Sequence, residues 1–588
     1  MIDDNLLGIM KPARYIGGEW NSTVKDFEAA EVRFALGFPD LYEVGMSNLG
    51  IRILYGALNA MEGVVCERFF SPAADMEKLI RSGGWSMRSL ENGRGLASFD
   101  MVGFSLGYEL NYPDVLNILD LSGIPLKAAE RGIGAPLVIG GGPCAVNPEP
   151  MADFFDLFII GEAEEALPEL VSLYREHSRD YKEGRIARAA LLEKLASIEG
   201  VYVPSLYDVG YSSEGRIISF SPKTPAAPAR IKKRFVGDLD SSFFPRDWVV
   251  PYIQIVHDRI TLEIMRGCPN RCRFCQARQQ YYPLRLRSAG KVKELAAELY
   301  KNTGYHEISF SGLSISDYPG IEGLASSLMA EFKDKCVGIS LPSIKPKNFL
   351  GELSKLIAAI RKTGLTFAPE AGTRRMREMI GKDFDEDIFR EAVLKAYAAG
   401  YQHVKLYFLI GLPRESSDDL EGIKELSVAV SELRRKISGR PAEVHLSVNT
   451  LIPKPHTPLQ WFPMASLDSM LEKQAYIRRA LGGNRRVKTV FHSPKLSLLE
   501  GVISRGDRRL GRVIEAVFRS GVRFDNWNEE ASWEKWTAAF AGASLETDFY
   551  LSGKSTEDIL PWDFIEIGVS KESLAQEFNK VVAMGGDE

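Results

Sequence analysis

Cysteine is scarce in this chain, with six residues in 588. That excludes a disulfide framework, which needs many dispersed cysteines and an oxidising compartment. No apolar run approaches the roughly 18 residues of a membrane span. The opening segment, MIDDNLLGIMKPARYIGGEW, lacks the charged start, long apolar stretch and cleavage site of a secretory leader. A cytoplasmic protein without membrane contact is therefore expected. Positive charge is not in excess either: a net charge of −5 and a pI near 6.0 give no global nucleic-acid signal. Internal repeats and low-complexity tracts are absent.

What is present is the balance of an ordinary globular protein, 45% hydrophobic and 26% charged, in a chain too long for one core. Two strand–helix alternations predict two parallel-sheet domains. After an N-terminal extension (1–30), the first occupies 31–176, with strands expected at VRFALGF, VVCERFF, FDMVGFSL, APLVIGG and FDLFIIG. Continuous β-branched and aromatic runs suit strands covered on both faces. Glycines at their ends favour a doubly wound, Rossmann-like sheet with ligands at the C-terminal edge. A mixed, Pro- and Lys/Arg-rich stretch, 177–245, reads as a linker region. The second alternation, 246–465, offers ITLEIM, HEISFS, VGISLP, LTFAPE, HVKLYFLIG and AEVHLSVNTL as strands, separated by helices that include PKNFLGELSKLIAAIRKTG. Six such steps predict a partial (β/α)6 TIM-like barrel. Residues 466–588 read as a separate C-terminal α+β module.

Three of the six cysteines crowd into MRGCPNRCRFCQAR, as Cys268, Cys272 and Cys275. Three thiolates at this spacing can hold three irons of a cubane and leave the fourth open. A structural zinc site needs four ligands, so its alternative here is a knuckle completed by His306 or another distant residue. The segment, with Phe274 before the last cysteine and a strand upstream, resembles the motif of radical S-adenosylmethionine (SAM) enzymes. That resemblance implies a [4Fe–4S] cluster whose open iron chelates SAM, an external reductant such as flavodoxin or ferredoxin, and a 5′-deoxyadenosyl radical as product.

Further residues carry the same resemblance. Ser311 and Gly312 end the second strand, where the family holds the SAM amino group. Glu370, Gly372 and Arg374 lie in FAPEAGTRRMREMIGK, similar to a SAM-contacting segment. Ile410 and Gly411, in KLYFLIGLPRE, resemble the backbone that packs on adenine. Ser340 and Lys345 end the third strand at the same mouth. In LIPKPHTPLQWFP, Lys454, His456, Gln460 and Trp461 either line the substrate side or belong to a rigid segment closing the barrel.

The first domain resembles a cobalamin-binding domain. That class has Asp-x-His-x-x-Gly, then a serine motif, then a Gly-Gly turn; here stand Asp40, Tyr42 and Gly45, then Ser105, then Gly140, Gly141 and Gly142. Tyr42 replaces the cobalt-ligating histidine. Three readings stay open: a cobalamin site without that ligand, a vestigial fold, or another ligand. IIGEAEEAL resembles the end of the same domain, its glutamates suiting a helix N-terminus. Cys66, Cys144 and Cys336 read as buried inert thiols. Between 466 and 520, twelve Lys/Arg face five Asp/Glu, either a phosphate-contacting patch for RNA or ribonucleoprotein or a solvated face. The whole chain resembles an uncharacterised family of cobalamin-domain radical SAM proteins. The resemblance implies a radical SAM enzyme, with cobalamin-dependent C-methylation as the leading outcome. Methylthiotransferase-like or other radical modification of RNA or protein is the alternative, and a non-catalytic cobalamin or SAM sensor is the non-enzymatic rival.

Overall fold

Val64–Phe70 is buried at every position, and such a strand needs cover on both faces. In the computed structural model, which describes residues 4–83, 85–342, 345–346, 365–523 and 529–584, it forms the edge of a six-stranded sheet. Strands β1 (Val32–Phe38), β2 (Val64–Phe70), β3 (Met101–Ser105), β4 (Leu137–Gly141), β5 (Leu157–Ile159) and β6 (Val201–Tyr202) run in the order β2-β1-β3-β4-β5-β6. All are parallel except β6. The order reverses at β1, so the crossover helices fall on opposite faces, as the doubly wound prediction requires.

The second unit has seven parallel strands in two sheets. β7 (Ile260–Glu263), β8 (Glu307–Ser311) and β9 (Gly338–Ser340) form one; β10 (Leu365–Glu370), β11 (His403–Ile410), β12 (Glu443–Thr450) and β13 (Val487–Phe491) form the other. On β11 and β12 alternate residues such as Val404, Leu406, Val444 and Leu446 are buried. They share a core with Phe389 and Val393, Ile423 and Val430, and Ile477, from three helices of the outer layer. Among the described residues no helix is long and apolar enough to cross a membrane. The helix expected over 346–364 lies outside the described residues beyond Pro346.

Three expectations need correction. The barrel does not stop at six strands or at residue 465: β13 pairs with β12. Its sequence, VKTVF, hides this because Lys488 and the exposed Val490 interrupt the apolar pattern. The stretch 177–245 is not merely a linker, since it supplies β6 and a hairpin, Tyr207–Tyr211 with Ile217–Pro222. The C-terminal region is not a separate module. Helices Pro494–Ser504 and Leu510–Arg519 share one core with the first sheet, and the second packs on helix Tyr112–Leu121. Val513, Ile514 and Val517 are fully buried there, each contributing roughly 1.5–3 kcal/mol. The basic stretch is partly internal as well. Arg508 pairs with the buried Glu149, Arg509 with Asp507, and Arg505 donates to the carbonyls of Tyr550, Pro453, Phe462 and Ser552.

Candidate active site

The three clustered thiols ride on the loop after β7. Met265–Arg266 pairs antiparallel with Arg285–Leu286 and closes that loop at its base. Gly267 has φ +90°, and a Cβ there would stand 2.7–2.8 Å from Tyr281 O, Pro283 O and Leu284 Cα, so only glycine permits the turn. Arg273 anchors the loop across the barrel: its backbone N–H donates to Ile380 O and its guanidinium to Glu378 O and Met379 O. Asn270 Nδ2 donates to Cys268 Sγ at 3.2 Å. Burial pushes the Cys272 thiol up to about 11 and raises Cys275, with Lys382 pulling both back. Metal loading must therefore displace protons.

The thiol spacing bears on the zinc alternative. Sulfurs on one tetrahedral zinc lie about 3.8 Å apart, given Zn–S of ~2.3 Å. Among the described residues the one Cys/His/Asp/Glu trio whose ligand atoms all lie within 4.8 Å is His403, Glu443 and His445. The sulfurs of Cys268, Cys272 and Cys275 do not all lie within 4.8 Å of one another, farther apart than one zinc ion needs, and His306 is not grouped with them.

Strand ends from across the barrel meet this loop. Phe274 packs against an apolar cluster that includes Ala371, Met376, Leu412 and Leu451, which follow β10, β11 and β12. Glu370 ends β10 at a bulge, with φ +68°, a conformation rare for a non-glycine residue. Its carboxylate accepts from Lys382 Nζ at 3.2 Å, and burial raises its pKa while Lys382 opposes the rise. Lys382 is a residue that sequence reasoning missed; its signal was a position twelve residues after Glu370 in the quoted segment. Ile410 O accepts from Leu451 N, and Gly411 N donates to Glu415, which is paired with Lys473. Ser340 pairs with Ser309, and Lys345 bonds Asn270 Oδ1 and Asp317 beside the loop.

Two of the residues expected at the SAM site have other partners in the fold. Arg374 is exposed and paired with Glu378 one helical turn on. A Cβ on Gly372 would stand 2.3 Å from Ile423 N, so this glycine lets helix Ser417–Leu433 pack closely. The buried arginine nearby is Arg377, which donates to Ala371 O, Gly372 O and Glu386.

Between the two sheets lies a cavity of about 430 Å³. Ser105, Gly140, Gly141 and Gly142 line it from the first domain, and Ser311 and Gly312 from the barrel. Its wall is completed by helices Leu49–Asn59 and Ala163–Lys182. The glycines differ in role. A Cβ on Gly140 would meet the Phe158 ring at 2.5 Å, whereas one on Gly141 meets nothing closer than Ile159 O at 3.8 Å. Arg266 joins the halves, 2.8 Å from Glu162, 2.7 Å from Glu164 and 2.8 Å from Glu263, with Arg285 2.7 Å from Glu162. Burial works against the Arg266 charge, but the three carboxylates outweigh it and raise its pKa. Its signal in sequence was adjacency to Gly267-Cys268. A larger cavity, about 490 Å³, lies on the far side of helix Leu49–Asn59 around Arg52 and Trp248, away from the thiols.

Asp40, Tyr42 and Gly45 do not reach the shared cavity. Tyr42 is buried edge-on to Phe70, and its hydroxyl donates to Glu19 at 2.9 Å within a buried Glu19–Arg68–Glu91 cluster. Asp40 accepts from Leu41 N and Asn111. A Cβ on Gly45 would strike Phe70. The LIPKPHTPLQWFP segment likewise closes the barrel. Lys454 pairs with Glu109 and Glu500, His456 Nε2 lies 3.0 Å from Val146 O, Gln460 accepts from Trp562, and Trp461 is buried. Cys66 and Cys144 are buried as expected; Cys336 is exposed, at φ +55° just before β9.

Two family descriptions match the chain: "Radical SAM proteins, N-terminal" over residues 50–204 and "Radical SAM superfamily" over 262–427. An uncharacterized protein of Methanocaldococcus jannaschii is 28% identical over 486 residues, 82% of this chain and 90% of that protein. Among solved structures, the radical SAM methyltransferase TsrM from Kitasatospora setae, with cobalamin and a [4Fe–4S] cluster bound, aligns at TM-score 0.48 and 13% identity, covering 87% of this chain and 99% of that one. The cobalamin-dependent radical enzyme OxsB with aqua-cobalamin bound aligns at TM-score 0.45 and 13% identity, covering 94% and 80%.

Proposed function

Starting from a chain that carries the radical SAM domain and its N-terminal companion, and is therefore a radical SAM enzyme, we propose that it abstracts hydrogen from an unactivated C–H bond and methylates that carbon with the help of cobalamin. A [4Fe–4S] cluster with SAM, when bound and reduced by one electron from a donor such as flavodoxin or ferredoxin, supplies cleavage to methionine and a 5′-deoxyadenosyl radical. Cys268, Cys272 and Cys275 are the thiolates that would hold the cluster. Asn270 donates to Cys268 and orients the loop. Phe274 with its apolar neighbours excludes water from one side. Glu370, held by Lys382, is the carboxylate that would accept from the SAM amino group.

The observation that carries the cobalamin part is the shared cavity, in which the glycine-rich edge of the first sheet faces Ser311 and Gly312. Gly141 leaves room for a nucleotide tail to lie against backbone. No histidine is among the described residues lining the cavity, and Tyr42 points elsewhere. The residues that would hold a cobalamin there are the glycines and Ser105 of the first sheet, with Ser311 and Gly312 opposite. The test is anaerobic reconstitution with iron and sulfide, then reduction with SAM, with and without cobalamin. Deoxyadenosine, S-adenosylhomocysteine and cobalamin retained after desalting support the reading. Deoxyadenosine with no cobalamin retained removes methylation and leaves the radical step.

A further inference from the structure

Only seven histidines occur in the chain, and two share one corner of the barrel. His403 opens β11 opposite Glu443, which opens β12; two residues on, Lys405 stands opposite His445. Because the alternate residues are buried under helices, these four project from the other face. There His445 Nε2 lies 2.6 Å and His403 Nδ1 3.8 Å from the same oxygen, Glu443 Oε1. One ligand atom from each of the three lies within 4.8 Å of the other two. Lys488 of β13 reaches that oxygen at 2.8 Å.

From this geometry we infer a binding site for a divalent first-row metal ion, zinc being the best match, on His403, Glu443 and His445. Two imidazoles and a carboxylate are a common donor set for zinc, with water completing the shell. Metal–ligand bonds of ~2.0–2.2 Å place donor atoms about 3.3–3.6 Å apart. The 2.6 Å contact must open and the 3.8 Å contact close, both by small side-chain rotations on strands whose register is fixed. His403 and His445 are exposed, which leaves a position for water. Lys488 is the resident cation and competes for the carboxylate. The site lies at the first residues of its strands, whereas the thiols sit beyond the last residues of theirs, so it is independent of the radical chemistry.

The experiment is equilibrium dialysis of the iron-loaded protein, its three thiols occupied, against zinc at several concentrations, with metal analysis. Wild type is expected to take up one zinc that the His403→Ala/His445→Ala variant does not. Lys488→Met is expected to bind it at least about threefold more tightly, an effect that a folding defect cannot produce. Equal uptake by wild type and the double histidine variant overturns the proposal and leaves the trio as a hydrogen-bond network. So does a Lys488→Met variant that binds no more tightly than wild type.

Discussion

Lys382 places its ammonium 3.2 Å from the Glu370 carboxylate, and the same charge acts on the thiols of Cys272 and Cys275. One cation thus serves a strained acidic residue and the cysteine loop. Replacing Lys382 with Met leaves Glu370 buried without its partner. Deoxyadenosine formation should fall at least about tenfold, the effect of some 1.4 kcal/mol, while iron content stays near wild type. Arg374→Ala, at an exposed position, should change neither.

Cys272→Ala removes one of three thiolates that no described neighbour replaces. Iron incorporation and deoxyadenosine formation should both be lost, read by iron analysis and by chromatography after reduction with SAM. Turnover persisting in that variant would refute the cluster assignment.

The two cavity glycines should separate stability from ligand binding. Gly140→Ala drives a methyl into the Phe158 ring and should cost about 1–3 kcal/mol of unfolding stability. Gly141→Ala meets only Ile159 O, at an ordinary 3.8 Å contact; it should leave the urea midpoint near wild type and reduce cobalamin retention. Tyr42→Phe should do the reverse, losing about 1.5–3 kcal/mol with its bond to a charged carboxylate while cobalamin retention is unchanged.

Acid should destabilise the junction at His456. Burial holds its pKa down to about 4, against 6.5 when exposed. Between those values the unfolded chain binds the proton and the folded one does not, so stability falls as pH drops from about 6.5 to about 4, by ~3 kcal/mol. His456→Gln should flatten the slope of urea midpoint against pH across that window.

The grouping of the site's residues was legible because it is local. Cys268, Cys272 and Cys275 sit within eight residues, and Glu370 lies in one recognisable segment. The strand cores of both sheets were legible too, since continuous apolar runs such as Val64–Phe70 have one structural outcome. What stayed hidden depended on side-chain direction and long-range pairing. Tyr42 occupies the right place in its motif, yet its phenol turns toward Glu19, a partner 23 residues upstream. β13 pairs in register with β12 across a whole helix, and its polar, alternating face carried no strong strand signal. The Arg266 cluster draws carboxylates from residues roughly a hundred positions away, which no local pattern announces.

The return of helices Pro494–Ser504 and Leu510–Arg519 to the first sheet makes the barrel an insertion within a domain that is otherwise completed at the far end of the chain. The first domain can then not be excised as a linear piece. A fragment ending at residue 465 lacks β13 and leaves β12 as a raw edge, and it strips the apolar cover from helix Tyr112–Leu121 at the same stroke. Both faces invite aggregation. A binding domain for separate study is better made by joining the N-terminal part directly to the helices from Pro494 onward.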